Sequence, residues 1–367
     1  MSPYLLHVST IVAAVFAATL PVYVQGKKPV AGKPGAQKPS AVKKAASPAG
    51  PIFLGTTQLP GDFGKLATTY TIGKSKPINF TLKNAEYSVD SLTIGTRTWV
   101  PKGDEKLLLL RYTIHNPLPQ EQPYDWSAIK FTAADAKDVN HVFIQGVTRD
   151  GESEPLGVSL KPAQKIDVLS AIIVPAEGVV SKLIVERERD APVIRYDLRG
   201  QARSLPTLVT DSADATGASV RKEILVPVDT FVPLGVFDAR LDEVTYTTEP
   251  LVKREPPKGG RFVVTTFTLK NRIEEPQSYY WGYFNADLRD ADGEKVKYTQ
   301  ALLKGNRDER AQGDLTPGEE TRVRLFFPLP EHVPGKTLSL SEGKGVSLRA
   351  ARAWTFDLTG TAAQPIP

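Results

Sequence analysis

The chain has 367 residues, 41% of them apolar, and no cysteine. That length suits about two domains, and the missing cysteines exclude disulfides, thiolate nucleophiles, cysteine zinc sites and lipid attachment at an N-terminal cysteine. The net charge of +5 sits mainly in residues 1–50, which hold six lysines and no acid; without them the remainder carries −1, so no basic nucleic-acid-binding face is expected.

Residues 11–20 (IVAAVFAATL) form an apolar core, and Val24, Gln25 and Gly26 follow where signal peptidase needs small residues. This pattern predicts export with cleavage after Gly26. The first residues lack Lys and Arg, whereas Lys27 and Lys28 follow the apolar run, so a retained anchor or a different start stays open. No other stretch approaches 18 continuous apolar residues, so the mature chain is expected to have no transmembrane segment. Export without cysteine suggests a bacterial protein of the periplasm or cell exterior. Residues 27–51 carry Lys27, Lys28, Lys33, Lys38, Lys43 and Lys44 among Pro, Ala and Gly, with no aromatic residue. Such a stretch cannot bury enough apolar area to offset chain entropy. It reads as a disordered tether, a spacer or an arm for anionic envelope polymers. Residues 52–76 are expected to pack irregularly on the domain that follows.

Residues 106–116 (KLLLLRYTIHN) return 155 positions later as RFVVTTFTLKN. From Lys106 to Pro175, 13 of 70 positions match an identical residue at that offset: Thr113, Asn116, Gln122, Tyr124, Trp126, Asp135, Ala136, Gln145, Glu154, Leu160, Pro162, Val168 and Pro175. Chance supplies roughly four at about 6% per position. With a five-residue shift, YDLRG at 196–200 meets FDLTG at 356–360. This is an internal duplication. Period-two alternation rich in β-branched and aromatic residues makes each copy all-β. Short strands separated by turn signals suggest a sandwich. The predicted layout is a first sandwich over 52–200, a linker over 201–222, a second sandwich over 223–361 and a tail over 362–367.

A strand such as KLLLLRYTIHNP or RFVVTTFTLKNR ending in Asn, then Trp126 or Trp281, then a turn such as RDADGEK, resembles the telokin-like immunoglobulin-type domains of bacterial exported proteins and lipoproteins. The resemblance covers both copies. It implies two immunoglobulin-like β-sandwiches and an extracytoplasmic place, with no catalytic set to carry over.

The candidate sites are few. His115 becomes Lys270 in the second copy while Asn116 persists as Asn271, so the pair reads as a strand end, with a solvent-facing His115 and a turn-forming Asn. The other histidines, His7, His141 and His332, have no metal-ligand spacing. No GxSxG or phosphate-binding glycine loop occurs. Asp290, Asp292 and Glu294 begin like a calcium loop, but the twelfth position is Ala301, so a hairpin turn is the expected reading. Trp126 and Trp281 are expected in the core. Tyr279, Tyr280, Trp281 and Tyr283 offer a candidate binding strip: alternation puts Tyr279, Trp281 and Tyr283 on one face, and Tyr280 with Phe284 on the other. The expected function is non-enzymatic binding or scaffolding in the cell envelope, without a cofactor, toward a protein or glycan. A protease-inhibitor-like or chaperone-like module, or a hydrolase with a loop-built site, are the alternatives.

Overall fold

In the computed structural model the described residues are 62–296, 299–343 and 351–359. The expected leader (1–26), lysine-rich tether (27–51) and tail (362–367) lie outside them. The described residues belong to one compact unit, Pro48–Pro367. The fold is all-β; among the described residues the one helical element is a single 3-10 turn, Trp281–Tyr283. Among the described residues no helix is long and apolar enough to cross a membrane.

The first half has two main sheets. One orders the strands Thr69–Ile72, Ile78–Ser88, Glu105–His115, Lys165–Pro175 and Thr148–Arg149. The other orders Ile194–Asp197, Val180–Glu186, Lys130–Asp135 and Asn140–Val142. The second half follows the same plan. Val232–Pro233, Phe237–Thr247, Gly260–Asn271, Glu320–Pro330 and Leu303–Lys304 form one sheet. Trp354–Asp357, Gly335–Glu342, Phe284–Asp290 and Lys295–Val296 form the other, with Leu225–Val226 added at its edge.

The correspondence extends to register. His115 pairs with Lys165, and Lys270 with Glu320, each 155 positions on. Even the irregularities coincide. A bulge between Leu82 and Asn84 has its counterpart between Leu241 and Glu243. The shift that separated YDLRG from FDLTG appears as Lys182 opposite Asp197 in one half and Thr337 opposite Asp357 in the other. A bulge position conserves interaction but inverts sign: Lys83 pairs with Asp167 at 2.7 Å, and its counterpart Asp242 pairs with Arg322 at 3.4 Å.

Alternation places Phe80, Leu82, Tyr112, Ile114, Phe131, Leu183 and Tyr196 inward in the first half, and Phe237, Phe267, Leu288, Phe327 and Phe356 in the second. These side chains belong to one contiguous core cluster that runs through both halves. Burial of this apolar area is the main favourable term for the fold.

Two expectations about the connections are corrected. Residues 201–222 are not a solvated linker: Leu205, Val209, Ala218 and Val220 are buried in the core cluster. Four apolar residues spaced through a polar sequence suffice to dock it. The Ala218 carbonyl then helps to hold the fully buried Lys106, whose ammonium also donates to Gly178 O at 2.6 Å and stands 4.5 Å above the Tyr87 ring. Burial pulls the Lys106 pKa down to about 8. The counterpart pair, Arg261 over Tyr246 at 4.0 Å, completes the parallel. Residues 52–76 are likewise not all irregular, because Thr69–Ile72 is a strand that continues the first sheet.

Candidate functional site

The strand-end asparagines share three hydrogen bonds at equivalent positions. Asn116 and Asn271 are fully buried. The Asn116 amide donates to Gln120 O (2.8 Å), Leu160 O (2.9 Å) and Lys161 O (3.2 Å), and its oxygen accepts from Leu118 N (3.0 Å) and Gln122 Nε2 (2.7 Å). Asn271 donates to Glu275 O and Leu315 O and accepts from Ile273 N, each partner 155 positions on. They are structural residues, as their sequence context implies.

Neighbouring His115 departs from expectation. It is not solvent-facing but only 5% exposed, because Asn79 and Lys165 flank it on the adjacent strands. Burial, then the nearby Lys165 charge, lowers its pKa.

The acidic hairpin is a turn. Asp290 Oδ1 accepts the backbone N–H groups of Asp292 (3.1 Å) and Glu294 (2.8 Å), and Gly293 takes φ +85°. Asp135 does the same for Lys137 and Val139. Asp292 and Glu294 stand exposed in the same turn, and among the described residues no group of three acidic or histidine side chains could hold a metal ion.

The aromatic segment is where the structure revises the sequence reading most. Trp126 and Trp281 are not core residues: they are 42% and 41% exposed. Each follows a three-residue strand, Gln122–Tyr124 or Gln277–Tyr279, and the chain then turns rather than extending. In the first half Asp125 Oδ1 caps that turn through Ser127 N and Oγ. In the second, the 3-10 turn breaks the alternation, so the two-faced strip does not form. The core position falls instead to Tyr124, whose hydroxyl lies 3.0 Å from that of Tyr112. Phe267 stands at the Tyr112 counterpart and has no hydroxyl, and Tyr279 is only half-buried.

The second corner is nevertheless an aromatic platform. Phe284 and Phe237 are buried beneath it. Half-buried Tyr283 stands edge-on to Phe237 at 6.3 Å, and exposed Tyr280 stands edge-on to Tyr283 at 5.1 Å. Gly282 permits this, since a Cβ there would approach the Tyr280 ring to 2.6 Å. Trp281, the residue after Tyr280, is exposed. In the first corner, Trp126 lies 6.4 Å from Phe143, next to exposed Val139 and Val142.

No protein-family model matches the sequence, and no curated protein matches it. Among solved structures, the chain is similar to an uncharacterized beta-sandwich protein from Clostridium difficile 630, at 16% identity and TM-score 0.29 over 39% of this chain and 99% of that one. It is also similar to the yjhA protein from Bacillus subtilis, at 17% identity and TM-score 0.25 over 36% and 99%. A third is MPT63, a secreted protein from Mycobacterium tuberculosis, at 13% identity and TM-score 0.27 over 36% and 96%.

Proposed function

We propose that this chain is an exported, non-enzymatic binding protein of the bacterial cell envelope. In this reading two immunoglobulin-like sandwiches, descended from one duplicated domain, each present an aromatic corner to an envelope glycan. The observation that carries it is the exposure of Trp126 and Trp281 at matching positions of the two halves. A large apolar ring is costly to leave in water, and exposed Trp and Tyr are enriched where partners dock. Tyr280, held by Tyr283 on Phe237, with exposed Trp281 next in the chain, suits stacking against the apolar face of a sugar ring. Two such corners on one chain suit a polymer with repeating units, because the second contact forms at high effective concentration. The leader-like stretch over 11–20 supports export, and the cationic residues 27–51 would add salt-sensitive attraction to anionic envelope polymers.

The test is co-sedimentation of the full chain with insoluble peptidoglycan, chitin and cellulose. Truncating a central aromatic contact typically costs about 2 kcal/mol or more, close to thirtyfold in affinity. Tyr280→Ala and Trp281→Ala are therefore each expected to weaken retention on the bound polysaccharide by at least tenfold. Retention equal to that of the parent chain would remove the second corner from the binding face.

A further inference from the structure

We propose that the outer face of the first sheet carries a second, separate site, one that takes a single acidic sugar residue. The inner face of that sheet is core. The hairpin Leu92–Ile94 and Arg97–Trp99 sits over part of the outer face, where Ile94 and Trp99 pack with Ile144, Ala171 and Leu109. The other part is open and holds a cavity of about 370 Å³ lined by Thr69, Thr81, Thr113, His115, Lys165 and Asp167.

Strand register explains the lining. Thr69, Thr81, Thr113 and Asp167 are direct cross-strand neighbours in one row. Thr71, Asn79, His115 and Lys165 form the next row on the same face. Rows of this kind space polar groups about 4.8 Å apart across strands. That is comparable to the separation of hydroxyl groups on opposite sides of a pyranose ring. The groups are also held in place. Thr69 and Thr81 hydroxyls meet at 2.7 Å, and Thr113 donates to Asp167 at 2.6 Å. Thr71 donates to Asn79 Oδ1 at 2.7 Å, and Asn79 Nδ2 lies 2.9 Å from His115 Nδ1. With Nδ1 accepting, the neutral ring carries its proton on Nε2. His115 Nε2 meets no hydrogen-bond partner among the described residues, and the residue lines the cavity, so this N–H is open to an acceptor there.

The lining specifies chemistry. Threonine hydroxyls and the Asp167 carboxylate suit sugar hydroxyls, whereas the imidazole N–H and the exposed Lys165 ammonium suit a carboxylate. Among the described residues no aromatic side chain lines the cavity, and recognition by those that do is through hydrogen bonds across the ring. The volume lies near the lower end for small-ligand sites, as one monosaccharide requires. The second half cannot do this at the same positions. There Arg240 and Arg322 replace Thr81 and Asp167, and both close on Asp242, at 2.7 and 3.4 Å, with Thr268 donating to it at 2.7 Å. The site shares no residue with the aromatic corners and stands or falls apart from them.

The experiment is calorimetric titration of the full chain with sodium galacturonate and sodium glucuronate, with galactose and sodium acetate as separate arms. At least one uronate should bind saturably, with galactose and acetate each at least tenfold weaker. Lys165→Gln and Thr113→Val should each lower uronate affinity at least tenfold with the thermal midpoint unchanged. The His115 imidazole resonances should shift on uronate addition, a readout independent of the variants. Trp126→Ala and Trp281→Ala should leave uronate binding intact. Absence of saturable binding by both uronates, equal binding of galactose, or full affinity in Lys165→Gln and Thr113→Val would each overturn the proposal.

Discussion

Replacing Asn116 by Ala should destabilise the protein by about 3 kcal/mol or more, among the largest losses expected for any single polar residue here. The side chain makes five hydrogen bonds from a fully buried position. Its removal breaks two buried bonds, to Leu160 O and Gln122 Nε2, each costing about 1–3 kcal/mol when no water can reach the group left behind, and three part-buried ones. The isosteric Asn116→Asp is equally informative. It keeps the acceptor for Leu118 N but points a carboxylate oxygen at the carbonyls of Gln120 and Leu160. At neutral pH it should cost at least as much as Ala, with part of the loss recovered in acid as the carboxyl takes up a proton. Domains are commonly stable by only about 5–15 kcal/mol, so urea midpoints will resolve either change. A loss below about 1 kcal/mol in both variants would mean that the network contributes little.

The second large effect is on pH dependence. Glu342 is buried, and its carboxylate accepts from Phe237 N at 2.8 Å and Val236 N at 3.1 Å. Gly235 makes room for it, since a Cβ there would lie 2.4 Å from Oε2. Burial raises its pKa to about 7 against the two N–H donors and the Arg272 charge. Below the ordinary value of about 4.5 the group is protonated in both folded and unfolded chains. Between about 4.5 and 7 the unfolded chain releases a proton that the folded chain retains. Stability therefore falls as pH rises through this window, by roughly 1.4 kcal/mol per unit, and levels off above it. Glu342→Gln cannot titrate. Relative to that variant, the parent chain should lose about 3 kcal/mol between pH 4 and pH 8. Parallel stability profiles for the two proteins would place the titration elsewhere.

How much was legible in the sequence depends on the range of the interaction. Asn116 and Asn271 could be read because most of their partners lie two to four residues away, and the same local context occurs twice. The hairpin at Asp290 was legible for the same reason. The strands followed from alternation, their pairing did not, and residues 155 apart hold equivalent pairing positions. Recurrence of Trp126 and Trp281 in both copies suggests core packing, but each stands just past a short strand where the chain turns outward, in the second half through a 3-10 turn. His115 was misjudged because parity alone puts it on the outer face. Its burial comes from Asn79 and Lys165, neighbours supplied by strands 36 and 50 positions away. The docking of residues 201–222 rests on a few apolar residues in a polar stretch, a pattern that composition alone does not distinguish from a linker.

The central claim is that the two aromatic corners bind the same polymer and do not hold the fold together. The most direct measurement compares the parent chain with Trp126→Ala, Trp281→Ala and the double variant, recording thermal midpoints and co-sedimentation with the retained polysaccharide. Because both rings are exposed, the midpoints should change little, unlike the about 3–5 kcal/mol cost of deleting a buried Trp. Each single variant should lose at least tenfold in retention through broken avidity, and the double variant should not be retained. A double variant that sediments like the parent chain, or a melt that collapses with either tryptophan, would contradict the account.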